Sequence, residues 1–201
     1  MATPDPIERI VELTRTAGVL RPRDLASKGI AREYLRAAAD KGLIIRSARG
    51  LYTAADAPVT EFHSLAQVAK KVPKGVICLL SALNYHGIGT QNPYQVWLAI
   101  GAKDRRPAGT HPQLRIARFS RRALEFGQEI HDIEGVSVRV FSIAKTVADC
   151  FKYRNKIGLD VALEALRTSL RSKKATPNQI WEAAMVCRVA NVIRPYMEAL
   201  V

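Results

Sequence analysis

The chain has 201 residues, 48% of them hydrophobic, and its 31 Lys and Arg against 18 Asp and Glu give a formal net charge of +13. An apolar fraction of this size supports a packed core, which excludes a disordered basic tail. The charge predicts a polyanionic partner, whereas no apolar run approaches the roughly 20 residues of a membrane-spanning helix.

The N-terminus and the cysteines indicate a cytoplasmic protein. The first residues have neither a cationic start nor an apolar stretch, so they lack the features of a secretory signal. Cys78, Cys150 and Cys187 are far apart in largely apolar surroundings. They are expected to be reduced core thiols and not a disulfide framework.

Residues 1–56 are predicted to form a winged helix-turn-helix domain. Helical patterns over residues 6–16, 22–28 and 31–41 are separated by Gly18 and Gly29, and Asp5 with Pro6 is a typical helix start. Residues 43–46 and 51–53 then enclose a turn at residues 47–50, and residues 19–20 are a candidate third strand. Two short helices joined at a glycine and followed by a basic hairpin are typical of modules that contact duplex DNA.

The third helix supplies the candidate base-reading side chains. If Leu35, Ala38 and Ala39 face the core, Arg36 lies on the outer face with Glu33, and Arg32 lies at its edge. Arginine can bind guanine through two hydrogen bonds. The predicted DNA-binding residues are Arg21, Arg23, Lys28, Arg32, Tyr34, Arg36, Arg46 and Arg49.

Their expected roles differ. Arg32 and Arg36 would read bases, and Tyr34 is a weaker candidate because its ring can pack inward. The remaining cations would hold phosphates or the minor groove. Residues 1–56 hold 10 Lys and Arg against 7 Asp and Glu, so the order of the elements, and not the charge, carries the prediction.

Residues 57–201 are predicted to form a second, mixed domain after a linker at residues 54–60. The overall fold class is α+β: an N-terminal winged helix-turn-helix followed by a mixed domain with a small β-sheet and several C-terminal helices. The predicted helices span residues 61–72, 76–86, 142–154, 159–172, 177–190 and 195–200, and the predicted strands span residues 95–100, 114–119, 128–133 and 136–141.

Residues 57–125 are the most basic part, with 10 Lys and Arg against 3 Asp and Glu. The cations of this second basic surface are Lys103, Arg105, Arg106, Arg115, Arg118, Arg121 and Arg122. Arg115 and Arg118 lie an odd number of residues apart on a predicted strand, so they should point to opposite faces. Two interpretations stay open: a solvated surface that aids solubility, or an electrostatic surface for DNA backbone or an acidic protein.

The residue pattern predicts no catalytic site, metal site or cofactor. The four histidines share no metal-ligand spacing with one another or with a cysteine. Residues 87–90 lack the spacing of a phosphate-binding loop, and no Gly-x-Ser-x-Gly elbow occurs. Acidic residues are scattered, which disfavours a magnesium-dependent nuclease.

Three stretches carry a family resemblance: Arg49–Tyr52, Leu80–Gly87 and Arg139–Phe151. In their order and spacing the chain resembles the AbiEi family of antitoxins, transcriptional regulators from bacterial abortive-infection (type IV) toxin–antitoxin operons. The resemblance implies a winged helix that binds inverted repeats upstream of its own operon and represses it. It also implies a C-terminal antitoxin domain, a role in phage defence and, as partner, a nucleotidyltransferase-type toxin.

The resemblance leaves two points open. The toxin could be counteracted by direct contact or indirectly, and the protein could be a monomer that binds DNA cooperatively or a dimer. From the residues alone, the alternative function is a non-catalytic interaction module whose basic C-terminal domain engages an acidic partner.

Overall fold

The structure is a computed structural model that describes residues 5–57, 60–108 and 111–200. Residues 58 and 59 of the predicted linker therefore lie outside the described residues. The helices are α1 (Pro6–Ala17), α2 (Pro22–Ala26), α3 (Glu33–Asp40), α4 (His63–Lys71), α5 (Leu79–His86), α6 (Arg121–Glu125), α7 (Ile143–Lys152), α8 (Arg154–Ile157), α9 (Leu159–Arg171), α10 (Pro177–Cys187) and α11 (Ala190–Glu198). The strands are β1 (Ile44–Ala48), β2 (Leu51–Ala54), β3 (Val76–Ile77), β4 (Val96–Gly101), β5 (Leu114–Phe119), β6 (Gln128–Ile133) and β7 (Val136–Phe141).

The chain divides into two compact units. Unit 1 comprises Met1–Pro73 together with His131–Val138, and unit 2 comprises Lys74–Ile130 and Arg139–Val201. The predicted domain boundary between residues 56 and 57 remains a prediction. The predicted fold class is confirmed, because N-terminal helices and a two-stranded sheet are followed by a larger sheet and C-terminal helices.

Unit 1 is built around the apolar faces of its first three helices. The Asp5 side chain accepts a hydrogen bond from the Ile7 amide at 3.1 Å and so caps α1. Ile10, Leu25 and Leu35 are buried together in one core cluster. The first helix thus begins and packs as the sequence predicts.

The wing is a short antiparallel hairpin. β1 pairs with β2, with Ile44 opposite Ala54, and the register shifts between Ile45 and Ala48. The strands extend further into the predicted turn, which leaves Arg49 and Gly50 (φ 72°) at the tip. Leu20 forms an antiparallel bridge with Tyr52, so the predicted third strand is present as a single bridge.

The larger sheet has the strand order β5-β4-β3-β7-β6, with β3 antiparallel to β4 and parallel to β7. The prediction of one helix over residues 76–86 is wrong in its first part, because Val76 and Ile77 form the central strand β3 and the helix begins at Leu79. Both residues are fully buried, and a short apolar run of this kind does not distinguish strand from helix by periodicity.

The C-terminal helices match the predicted ones with shifted ends. Ser142 and Thr176 cap α7 and α10 through hydrogen bonds to Lys145 N and Gln179 N, as their sequence positions predict. The predicted helix over residues 142–154 is α7 followed by α8, and the final predicted piece belongs to α11, which begins at Ala190. The short helix α6 was not predicted.

Candidate nucleic-acid interface

The turn between α2 and α3 is fixed by backbone geometry. Gly29 has a φ of 66°, a conformation that glycine adopts without a steric penalty. The next amide, of Ile30, donates a hydrogen bond to the Leu25 carbonyl at 3.2 Å, and the Ile30 side chain is buried. This anchor sets the position of α3 on the core of unit 1.

Helix α3 buries one face and exposes the other. Leu35 and Ala38 are buried, whereas the Arg36 side chain is 86% exposed. Its Nε lies 3.8 Å from the Asp40 carboxylate, an exposed ion pair of a kind that costs little to separate. Arg36 can therefore leave Asp40 for another acceptor.

The start of α3 differs from the predicted one. The helix begins at Glu33, two residues later than predicted, and Arg32 occupies the N-cap position without a capping hydrogen bond from its side chain. No Ser, Thr, Asp or Asn is present at residues 30–32 to begin the helix earlier. Arg32 is exposed at this N-terminal end, the end that reaches base edges in helix-turn-helix proteins.

Tyr34 packs inward. It is half-buried and contacts the core cluster of unit 1. Its expected contact with DNA remains a prediction, although the ring contributes to the packing of α3.

The wing and the α2 region carry further exposed cations. Arg46 lies on β1 and Arg49 at the hairpin tip, and both are exposed. Arg23 on α2 and Lys28 in the following turn are exposed as well. We call Arg32, Arg36, Arg46 and Arg49 the winged-helix arginines.

Arg21 differs from these arginines because its guanidinium contacts protein groups. It pairs with the Asp24 carboxylate at 2.8 Å and donates to the Lys70 carbonyl at 2.6 Å. Burial alone would raise the pKa of Asp24, but the hydrogen bonds from Arg21 outweigh it and lower this pKa. Arg21 therefore fixes α2 to the end of α4, and its predicted phosphate contact remains a prediction.

Several cations of the second basic surface also contact protein groups. The Arg115 guanidinium lies 4.7 Å from the Trp97 ring centroid, and Arg121 pairs with Glu125 at 2.8 Å. One nitrogen of Arg118 donates to three carbonyls of the β4–β5 loop, at 2.8–3.1 Å. Lys103, Arg105, Arg106 and Arg122 are exposed.

The strand register separates two of these arginines. Arg115 lies opposite Trp97 and Arg118 opposite Ile100 on β4, so the two arginines are three positions apart in the ladder. Because side chains alternate along a strand, the two arginines point to opposite faces of the sheet, as the sequence predicts. Whether the seven residues form one binding surface remains a prediction.

A polar cluster that the sequence did not reveal holds the β6–β7 turn within unit 1. Glu134 accepts hydrogen bonds from the backbone amide and hydroxyl of Thr60, both at 2.7 Å, and from His63 Nδ1 at 2.6 Å. Burial alone would raise the pKa of Glu134, but these bonds lower it. The partners lie more than 70 residues apart, so no local sequence signal joins them.

Two glycines allow the backbones to meet at this turn. A Cβ on Gly18 would lie 1.4 Å from the Glu134 carbonyl oxygen, and one on Gly135 would lie 2.8 Å from the Thr16 carbonyl oxygen. Both distances are shorter than a Cβ atom and a carbonyl oxygen tolerate, so a side chain at either position would push the two backbones apart. The end of α1, which precedes α2 in the chain, therefore lies directly against residues 134–135.

The buried ionisable groups of unit 2 pair with one another inside its core. Lys145 donates to Asp149 with both side chains inaccessible to solvent, and Cys187 donates to the same carboxylate. Burial raises the pKa of the Cys187 thiol to about 12 and that of Cys78 well above its usual range. Thiols in this environment stay protonated and are poor nucleophiles.

Neither a metal centre nor a membrane span is found among the described residues. In residues 5–57, 60–108 and 111–200, no three His, Cys, Asp or Glu side chains are grouped to hold a metal ion. Over the same ranges no helix has both the length and the apolarity to cross a bilayer.

Comparisons with known proteins point to the N-terminal segment. No curated protein matches the chain. One similar solved structure is the crystal structure of the RV2827C protein from Mycobacterium tuberculosis, with a TM-score of 0.49 and 14% identity over 99% of this chain and 81% of that one. The sequence model of a family described as "Transcriptional regulator, AbiEi antitoxin" matches residues 8–55, which run from α1 to the end of the wing. The predicted resemblance is thereby confirmed for this segment: residues 8–55 carry the sequence pattern of the AbiEi antitoxin regulators.

Proposed function

We propose that this protein is a DNA-binding antitoxin that represses its own toxin–antitoxin operon. The observation that carries the proposal is the exposure of Arg36 on α3, where 86% of the side chain is accessible. Helix α3 follows a glycine turn and is followed by a hairpin with two more exposed arginines. This order of elements is that of winged helices bound to DNA.

The winged-helix arginines divide into two roles. Arg32 and Arg36, at the N-terminal end and the outer face of α3, would read base edges in the major groove. Arg46 and Arg49 would contact phosphates or the minor groove beside it, with Arg23 and Lys28 on the flanking backbone. Base contacts give sequence preference, whereas phosphate contacts give affinity that depends on salt.

The family match of residues 8–55 supports a proposal for the operator and for the partner. We propose inverted repeats upstream of the protein's own operon as the DNA site, and a nucleotidyltransferase-type toxin as the molecule counteracted by the C-terminal residues. The site of action is the bacterial cytoplasm, and the outcome is phage defence through abortive infection.

The experiment compares Arg36→Ala and Arg49→Ala in the full chain, by fluorescence anisotropy on the native upstream DNA and on a scrambled duplex. Arg167→Ala is the control, because Arg167 is an exposed arginine of α9 that lies outside both predicted basic surfaces. Arg36→Ala should lower the ratio of specific to nonspecific affinity by roughly 5- to 150-fold, as loss of one good base contact does. Arg49→Ala should weaken both duplexes alike and reduce the salt slope by about one unit.

If both variants bind DNA like the parent, or if Arg167→Ala loses as much affinity, the assignment of this surface is contradicted. Affinity for acidic proteins without sequence-preferring DNA binding would instead favour the interaction-module function. Co-expression with the toxin of the same operon tests the antitoxin role, since the full chain should restore growth.

A further inference from the structure

Strand β5 forms an unbroken edge of the larger sheet within unit 2. The strand order ends at β5, so no strand of the described ranges pairs with its outer side. Its residues Leu114–Phe119 pair one by one with Val96–Gly101 of β4, and no bulge interrupts the register. A strand edge with a regular register can accept a further strand.

The ladder geometry identifies the backbone groups of β5 that point outward. The Val96 amide donates to the Gln113 carbonyl at 2.9 Å, so the odd-numbered residues of this segment direct their backbone groups towards β4. The backbone groups of successive residues point to opposite sides of a strand. Leu114, Ile116 and Arg118 therefore direct their amides and carbonyls away from β4.

One of these outward groups already has a partner. The Tyr153 hydroxyl donates to the Arg118 carbonyl at 2.8 Å, which is the direction that the ladder assigns to this carbonyl. Over residues 5–57, 60–108 and 111–200, no such hydrogen bond reaches the outward amides or carbonyls of Leu114 and Ile116. Two donors and two acceptors are thus available in alternation along the edge.

This alternation favours a polypeptide as the partner. The sugar–phosphate backbone of DNA offers acceptors for the two amides, but its phosphates have no donor for the two carbonyls. An extended peptide carries one amide and one carbonyl at each residue and can satisfy both kinds of group. The pairing groups at this edge therefore match a strand better than a nucleic acid.

The charge around the edge selects an acidic strand. The loop between β4 and β5 carries three exposed cations, Lys103, Arg105 and Arg106. Arg118 donates to the first carbonyls of this loop and so holds it at the C-terminal end of β5. Asp104, the one acid of residues 102–118, accepts a hydrogen bond from a backbone amide at 2.9 Å. Such an edge attracts an acidic segment, whereas two copies of it would repel one another.

The side chains of β5 indicate the pattern of the incoming strand. Ile116 is half-buried on one face of the sheet, and Arg115 is exposed on the other. The Arg115 guanidinium lies 4.7 Å from the Trp97 ring centroid, a contact through its flat face that leaves its N–H groups able to donate. A partner strand with apolar residues beside Ile116 and acidic residues beside Arg115 fits both faces.

We propose that the outer edge of β5 binds an extended acidic segment of a partner protein, which adds to the larger sheet as a further strand. Main-chain hydrogen bonds to Leu114 and Ile116 provide the affinity, and the cations around the edge select acidic side chains. The site lies in unit 2, so it does not depend on DNA binding by the winged-helix arginines.

The test uses the full chain and, as probe, a fluorescein-labelled peptide of eight residues that alternates valine with glutamate. A peptide with lysine in place of glutamate tests the charge. A peptide N-methylated at alternate residues tests the main-chain pairing, because it lacks the amide hydrogens on one side. Fluorescence anisotropy measures affinity, and hydrogen exchange followed by NMR measures protection of single amides.

The parent should bind the acidic peptide at least about tenfold more tightly than either altered peptide. The bound peptide should slow exchange of the Leu114 and Ile116 amides by about tenfold or more, because both become hydrogen-bonded. This measurement needs no variant, so it does not depend on how a substitution affects folding.

Ile116→Pro removes one outward amide hydrogen and no bond to β4, so a proline is tolerated at this edge position. It should weaken peptide binding by about tenfold, and Ile116→Ala, which keeps the amide, should weaken it clearly less. Arg105→Glu/Arg106→Glu should also weaken binding. The control for this charge reversal is Arg167→Glu/Arg171→Glu, which changes two exposed arginines of α9 and should have little effect.

Three outcomes would overturn the inference. Equal affinity for the acidic, lysine and N-methylated peptides would exclude a strand selected by charge. Protection of the Leu114 and Ile116 amides by an oligothymidylate, and not by the acidic peptide, would assign the edge to nucleic acid. Protection that rises with protein concentration in the absence of any peptide would assign it to a second copy of the chain.

Discussion

The arginines of the winged helix and those of the second basic surface differ in what their side chains already bind. On α3, Arg36 has only an exposed carboxylate 3.8 Å away, and Arg32 makes no capping hydrogen bond. On β5, the Arg115 guanidinium lies over the Trp97 ring, and Arg118 donates to three carbonyls at the end of β4 and in the following loop. Arg115 and Arg118 are thus held by groups of the protein, whereas Arg36 has only a solvated ion pair.

The comparison teaches that the net positive charge of a segment does not show whether its arginine side chains are available to a ligand or which way they point. A guanidinium bound to backbone carbonyls must give up those bonds before it reaches a phosphate, whereas one facing solvent loses only hydration. Local charge therefore does not show which arginines already contact protein groups. Four variants test this difference, in order of decreasing effect.

Lys145→Met should have the largest effect, because Lys145 is the cation most completely engaged by the protein. Its ammonium and the Asp149 carboxylate are fully buried, so loss of one partner leaves an unpaired buried charge. We expect the free energy of unfolding to fall by about 3–5 kcal/mol, measured by urea titration. Lys152→Met on the same helix is exposed and should change little. The double variant Lys145→Met/Asp149→Leu should recover most of the loss, and failure to recover would contradict this explanation.

Arg118→Ala should destabilise the β4–β5 loop without changing DNA binding. The loss of three hydrogen bonds at an exposed site is expected to cost about 1 kcal/mol of unfolding free energy. Hydrogen exchange should become faster at the Gly101 and Asp104 amides, which lie within the loop that Arg118 holds. Arg122→Ala, at an exposed residue of α6, is the control. If Arg118→Ala weakens DNA binding and Arg122→Ala does not, Arg118 contacts DNA, and its assignment to a purely structural role is wrong.

Asp24→Asn tests the engaged arginine of the winged helix, Arg21, through pH. The folded pKa of Asp24 is lowered, so its charge stabilises the fold above the unfolded pKa of about 3.9, and this contribution disappears as pH falls through the folded value. The variant should be less stable than the parent at pH 7. The difference should shrink below about pH 4 in urea titrations across pH. A constant difference at every pH would show that Asp24 acts by packing and not by charge.

Arg36→Ala should have the smallest effect on stability. Its ion pair with Asp40 is almost fully solvated, so the thermal unfolding midpoint should match that of the parent. Calorimetry of Arg36→Ala and Arg121→Ala checks this, because Arg121 forms an exposed ion pair with Glu125 at the same helical spacing. A lower unfolding midpoint in Arg36→Ala alone would show that Arg36 stabilises α3.

Much of unit 1 could be predicted from the sequence because its signals are local. Asp5 with Pro6, the glycine at residue 29 and the period of Leu35 and Ala38 act within a few residues of one another. The same holds for the caps at Ser142 and Thr176. Such features depend on backbone conformation, which neighbouring residues largely determine.

The remaining features depend on contacts between distant residues. Nothing near Val76 indicates that strands β4 and β7 will flank it, and this contact decides strand over helix. Likewise, the sequence places Arg21 among exposed cations, and only the approach of the Lys70 carbonyl gives it a structural partner. Side-chain availability at the candidate interface is therefore a tertiary property.

The approach of Gly18 and Gly135 to the opposite backbone has a practical consequence for producing unit 1 as a separate domain. Unit 1 is assembled from residues 1–73 and from a turn encoded about sixty codons later. Truncation after the wing or after α4 would delete the carboxylate that Thr60 and His63 bind and uncover the end of α1. To produce unit 1 alone, residues 131–138 would have to be joined to the end of α4 by a short linker. No continuous stretch of the gene encodes unit 1 without the strands and helices that lie between residues 73 and 131.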